Sequence, residues 1–153
     1  MTRYLDAPAT RVFDAWLKPD TMRQWLFTSE GTNKLVRNEP YVGGTWEIID
    51  HRDGMDYRAI GQYIEIDRPH RLVFTFKMPQ FSETEDVITV ELAEQESGCM
   101  MIFTQQIVVP HEENWSAEDI EKAIGEYRSE SEHGWDVMFH GLASLVAASS
   151  TYE

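Results

Sequence analysis

The last apolar stripe of the chain constrains its fold more than any other feature. Between Gly134 and Ser149, Trp135, Met138, Phe139, Leu142, Leu145 and Val146 recur at i, i+3, i+4, i+7, i+10 and i+11. That spacing sets them all on one side of a helix. Two large rings and a methionine make a broad apolar face, and no other helical segment is long enough to receive it. The stripe therefore predicts a sheet on which this helix packs.

The rest of the chain supplies that sheet. Thr2 to Leu5 reads as the end of an edge strand. Asp6-Ala7-Pro8 opens a helix, with Pro8 at its first position, where a missing N–H costs nothing. Val12, Phe13, Trp16 and Leu17 form its apolar face, and it ends before Pro19. A second short helix follows, with Asp20 as its expected N-cap and Met22, Trp25, Leu26 and Phe27 as its apolar residues. From Lys34 onward the period changes from helical to alternating. Runs at Thr45 to Asp50, Asp56 to Ile66, Arg71 to Lys77, Val87 to Ala93 and Cys99 to Val109 are separated by turn residues such as Asp53-Gly54 and Glu96-Ser97-Gly98. About six consecutive strands with short turns predict an antiparallel meander. Gly43-Gly44 beside a strand implies a tight hairpin or a close backbone approach. It is no phosphate loop, because neither a lysine-serine pair nor a helix follows. His111 to Glu132 is polar and acidic. Within it Ser116 and Asp119 resemble a capping box, and Ile120, Ile124 and Tyr127 predict a short helix leading into the final one. Beyond Ser149 the tail reads as frayed.

Charge narrows the partners. Thirteen basic against 27 acidic residues give a formal net charge of −14, a field that repels nucleic acid and anionic membranes. The single cysteine, Cys99, precludes an internal disulfide and fits a reducing cytoplasm. No apolar run approaches the roughly 20 residues of a membrane span, and Arg3, Asp6 and Arg11 interrupt any signal-peptide core. The expectation is a soluble, cytoplasmic, single domain over residues 1–153, since neither repeats nor a low-complexity linker marks a boundary.

A strand, two short helices, a long antiparallel meander and a final long helix make an α+β helix-grip arrangement. In it a curved sheet of about six or seven strands wraps the C-terminal helix, with a cavity between them. At this point the chain resembles the START-like superfamily, and within it the domains similar to the C-terminal part of the Hsp90 ATPase activator. The resemblance is carried by Asp6-Ala7-Pro8 with Val12 to Trp16 and Pro19, by Trp25, and by Val42 to Trp46. The run from Gly61 to Phe76 and Gly134-Trp135 with Leu142 and Leu145 complete it. It implies a fold but no single function, because such domains include binding modules and stress-response proteins. A first strand cut short at Met1 and a long acidic insert from His111 depart from the pattern.

The candidate binding residues are those expected around the cavity: Trp25, Phe27, Trp46, Tyr63, Phe74, Phe76, Trp135, Met138, Phe139 and Leu142. Rings and a flexible methionine suit an apolar or flat ligand, with Tyr63 and the indole N–H groups as polar handles. The same side chains could equally fill the space as core.

Other chemistry is weaker. His133, Asp136 and His140 share a helix face but lack the spacing and third ligand of a zinc site. His51 lies near a hairpin turn and His70 in another, where surface placement is expected, and Cys99 has no partner that would activate it. Glu47, Glu65, Glu83, Glu91 and Arg58 lie on or near strands, where a carboxylate facing an apolar cavity could serve as a base. No catalytic residue, metal or cofactor is assigned from these patterns. The leading expectation is a small-molecule-binding domain. A protein-interaction module using the acidic surface, as the chaperone-activator resemblance implies, comes next. A polyketide-cyclase-like enzyme with an apolar substrate is third. A homodimer through the weak first strand is a further expectation.

Overall fold

Alternating side chains and tight turns build one antiparallel sheet of seven strands in the order β1-β7-β6-β5-β4-β3-β2. A computed structural model describes residues 1–108 and 112–150. The strands are β1 (Thr2–Leu5), β2 (Asn33–Asn38), β3 (Thr45–Arg52), β4 (Met55–Asp67), β5 (Arg71–Phe76), β6 (Asp86–Gln95) and β7 (Gly98–Gln106). The helices are α1 (Ala9–Leu17) and α2 (Pro19–Trp25) after the first strand, and α3 (Ala117–Ser150) at the end. The molecule is thus the expected α+β helix-grip domain.

The hairpin residues act as their chemistry requires. Asp53 and Gly54 both take positive φ, 52° and 74°, the tight turn that matches strand twist, and they set Arg52 opposite Met55. Gly43-Gly44 belongs to a compact loop from Glu39 that docks on β4, with the Gly43 N–H donating to the Tyr63 carbonyl at 2.9 Å. A Cβ on Gly44 would lie 2.1 Å from the Glu39 carbonyl oxygen. Register shifts near Leu35 and between Tyr63 and Glu65 bend the sheet.

Four local expectations need correction. Pro8 is the N-cap of α1 rather than its first residue. The first free N–H, on Ala9, is taken by the Glu94 carboxylate of β6 at 2.8 Å. The N-cap of α2 is Lys18, with Pro19 inside the helix and Asp20 in its first turn, where a carboxylate still complements the helix dipole. The strand expected to run to Val109 ends at Gln106, because the Val108 N–H turns to bond Asp86 at 2.9 Å. Lastly, the two helices expected after His111 are a single one of 34 residues. Its capping box forms as read: the Asp119 N–H bonds Ser116 Oγ, and Asp119 Oδ2 accepts from the Ser116 N–H, both at 3.1 Å. The strand end at Val109, Pro110 and His111 and the tail from Thr151 lie outside the described residues.

The core lies between the concave face and the C-terminal half of α3. Trp135, Phe139, Leu142 and Val146 are buried there, and between 117 and 134 no residue is fully buried. The apolar stripe thus divides the helix into a packed half and an outer arm.

Candidate functional site

Trp16 stands at the centre of the core. Trp25 meets it edge-on at 4.7 Å, and the rings of Phe74 and Trp135 each lie 5.9 Å away. Phe103 packs against Trp135 at 4.5 Å and Phe139 at 5.2 Å. A second stack lies beside this group. Phe27 is nearly parallel to Phe76 at 4.7 Å and to Trp46 at 5.8 Å, and it meets Trp135 edge-on at 5.1 Å. These stacked and T-shaped pairs are the arrangements aromatic quadrupoles favour.

Phe27 reaches this place by an unusual backbone. Its φ is 57°, in the left-handed region that a large side chain rarely occupies. Its N–H points at Met138 Sδ, 3.1 Å away on α3. The turn swings the Phe27 ring under α3 and the following residues along the open end of the sheet. Non-glycine strain of this kind persists where the surroundings hold it, and it concentrates at functional positions.

At that end the aromatic stack borders an open cleft of about 460 Å³. Phe27, Tyr57, Met78, Val137 and Met138 line its apolar part, and Thr28, Ser29, Thr32, Asp50 and Arg52 its polar part. Asp50, only 3 % exposed, follows Trp46 and Ile48 on the inward face of β3. The hydroxyls of Thr28 and Thr32 donate to its Oδ1 at 2.8 and 2.5 Å, and Arg52 Nε lies 3.3 Å from its Oδ2. The Arg52 guanidinium in turn sits over the Tyr57 ring, 4.4 Å from its centroid. A buried carboxylate is thus satisfied by two hydroxyls and one cation, which fix the loop after α2 to the sheet.

The expected binding residues divide between core and cleft. Phe27 and Met138 line the cleft, and Trp46 and Phe76 flank Phe27 from behind. Trp135 borders a separate recess of about 250 Å³ beneath the outer arm of α3. Trp25, Phe74 and Phe139 surround Trp16, while Leu142 and Tyr63 are buried in the same core. Burial raises the Tyr63 phenol pKa, partly offset by a bond with Asn38. Of the indole N–H groups, Trp25 donates to the Ala15 carbonyl at 3.0 Å and Trp135 to Gln105 at 2.9 Å. Those of Trp16 and Trp46 have no hydrogen-bond partner among the described residues.

A second buried acid lies behind Gln105, which lines the recess. Asp86, 2 % exposed, accepts from Gln105 Nε2 at 2.8 Å, from the Val108 N–H at 2.9 Å and from the Tyr127 hydroxyl at 2.8 Å. Burial and the neighbouring Asp86 push the Tyr127 phenol pKa up.

Sequence reasoning missed both aspartates. The signal was parity: Asp50 shares the strand face of Trp46 and Ile48, and Asp86 that of Ile88 and Val90. The carboxylates singled out instead lie elsewhere. Glu47 pairs with Arg58 and Arg37, Glu65 and Glu91 both reach Arg71, and Glu83 is exposed. Asp136 is engaged by Arg3 at 2.9 Å, and His140 bonds the Asp136 carbonyl at 2.8 Å. His51 meets Asp56 at 2.6 Å on the surface. No cluster of three or more His, Cys, Asp or Glu suited to a metal occurs among the described residues. None of their helices is long and apolar enough to cross a membrane.

A seven-stranded sheet gripping one long helix, with an aromatic stack opening on a cleft at its end, defines the class of START-like helix-grip domains. Residues 6–147 match the family described as activator of Hsp90 ATPase homolog 1-like protein, and the chain belongs to that family. A protein of unknown function from Staphylococcus aureus shares 29 % identity and superposes with a TM-score of 0.90, over 99 % of this chain and 93 % of that one. A Chromobacterium violaceum protein shares 23 % identity at a TM-score of 0.73, over 95 % and 94 % of the two chains. An Hsp90 activator from Plasmodium falciparum shares 20 % identity at 0.69, over 96 % and 94 %. The last two likenesses speak to the fold alone. No curated protein matches the chain.

Proposed function

We propose that this domain binds an apolar, ring-bearing small molecule in the cleft between the loop after α2, the β3–β4 hairpin and α3. The observation that carries the reading is the placement of Phe27. A strained left-handed residue presents a stacked ring at the boundary of an open volume of about 460 Å³. Met138 and Met78 give that wall an adaptable surface. A ring entering the cleft would extend the Phe27–Phe76 stack.

Binding also fits the state of Asp50 better than catalysis does. Both of its oxygens are already engaged by Thr28, Thr32 and Arg52, so it serves as an anchor rather than a base awaiting a substrate proton. A thermal-shift screen of flat apolar compounds, followed by native mass spectrometry, tests the reading. A ligand at about 100 times its dissociation constant adds about 2.7 kcal/mol to stability, which raises Tm by several degrees. If no such compound raises Tm or appears bound, the reading fails.

A second reading has its own support. The outer arm of α3 exposes Glu118, Asp119, Glu121, Glu126, Glu130 and Glu132 against Lys122 and Arg128. That face would dock on a basic protein surface, as a chaperone-associated role would require. The expected sign is a protein partner whose affinity falls steeply with salt; salt-insensitive association argues against it.

A further inference from the structure

The cleft's polar part specifies the head group of its ligand, an inference that rests on the reading just given. Among the described residues lining the cleft, only Asp50 and Arg52 carry charge. Asp50 is only 3 % exposed and already holds two hydroxyls and the Arg52 cation, which disfavours a second cation there. Arg52 differs. Its Nε faces Asp50 Oδ2 at 3.3 Å and its plane rests on Tyr57, which fixes the guanidinium at both sides. Its Nη1 and Nη2 make no hydrogen bond among the described residues, and the side chain is 57 % exposed. A guanidinium held in this way presents two parallel N–H donors as a preorganised fork.

We infer that the ligand is an apolar acid, its aromatic or aliphatic body on Phe27, Met138 and Met78 and its carboxylate on the outer edge of Arg52. A planar carboxylate matches that fork with two bonds. A phosphate dianion fits less well, since one guanidinium already shared with Asp50 must hold it within a chain of net charge −14. A neutral head leaves the fork to water and gains nothing from it.

Calorimetric titration of the full chain with three probes sharing one body tests this: 2-naphthylacetic acid, 2-naphthylacetamide and 2-(2-naphthyl)ethylamine. The acid is expected to bind at least about tenfold tighter than the amide, the scale of a hydrogen-bonded charge pair, and the amine no better than the amide. Arg52→Gln should abolish the preference, with circular dichroism and cooperative urea unfolding showing that the variant is folded. Arg52→Lys keeps a charge beside Asp50 and loses the fork, so it should retain only part of the preference. Equal binding of acid and amide by the native chain, or a preference that survives Arg52→Gln, overturns the carboxylate assignment and leaves the cleft reading standing. If none of the three probes binds, the cleft reading falls and this inference with it.

Discussion

The Tyr127 hydroxyl lies 2.8 Å from Oδ2 of Asp86, and this bond ties the outer arm of α3 to the start of β6. No other residue of that arm hydrogen-bonds Asp86 among the described residues. Tyr127→Phe removes a hydrogen bond to a charged acceptor, so it should cost about 1.5–3 kcal/mol. The loss is expected to be local as well as global. Amide exchange from 117 to 133 should quicken more than exchange in β5 or β6. An unchanged urea midpoint together with unchanged exchange would show that the bond holds nothing in place.

Two glycines make an opposed pair. A Cβ on Gly61 would lie 1.8 Å from the Thr75 carbonyl oxygen and 2.5 Å from Trp46 Nε1. Gly61→Ala must push β5 or the Trp46 ring aside, at a cost of about 3 kcal/mol. Gly125, in the outer arm of α3, has nothing within 4 Å of such a Cβ. There Gly125→Ala should raise stability by about 0.5–1 kcal/mol through helix propensity alone. Denaturant titration of both variants decides the matter, and a stabilising Gly61→Ala would refute the packing described.

The strand and helix order was legible because it rests on local periodicity. Val12, Phe13 and Trp16 or Ile88, Val90 and Leu92 declare their element within one segment. The single long α3 was not. Ile120, Ile124 and Tyr127 make only a narrow stripe, and Gly125 and Gly134 lower helix propensity between the two apolar runs. The bond from Tyr127 to Asp86 is a tertiary contact made between these two glycines, which local periodicity does not reveal. The cleft was also beyond sequence reasoning, since it joins residues 27–32, 50–57 and 134–138 through the left-handed turn at Phe27. Period and composition do not encode that geometry.

Acid should weaken one tertiary link in a defined direction. Bidentate hydrogen bonds from Arg68 hold the Asp14 carboxyl below its ordinary value of 3.8, against a smaller opposing effect of burial. A depressed folded-state pKa contributes stability that is present above the unfolded value and lost as pH falls through the folded one. Arg68→Gln should therefore lower stability by a constant amount at neutral pH, under about 1 kcal/mol for so exposed a pair. The gap to the native protein should close as pH drops below 3.8. A gap that widens in acid would contradict the sign.

Cys99 is fully buried on β7, and burial, with Glu94 nearby, pushes its thiol up to about 11. A thiol held neutral and out of reach reacts only when the chain opens. Labelling with a disulfide reagent at about pH 8 should follow the unfolding rate and accelerate sharply in urea. Labelling of the native protein at the rate of a free thiol would mean that β1 and β7 part readily.

Phe27 offers the most discriminating substitution. Both Phe27→Ala and Phe27→Gly remove the ring that stacks on Phe76 and Trp46, so both should lose stability and apolar-probe binding. They differ in the backbone. At φ 57° alanine keeps the left-handed penalty and glycine does not. Phe27→Gly should therefore be more stable than Phe27→Ala by about 1 kcal/mol, the reverse of their order in most structured positions. Equal affinity of all three proteins for 2-naphthylacetamide would separate the ring from the cleft. An alanine variant as stable as the glycine one would show that the turn relaxes once the ring is gone. The strain at Phe27 would then be a consequence of seating the ring, since nothing in the turn itself would require it.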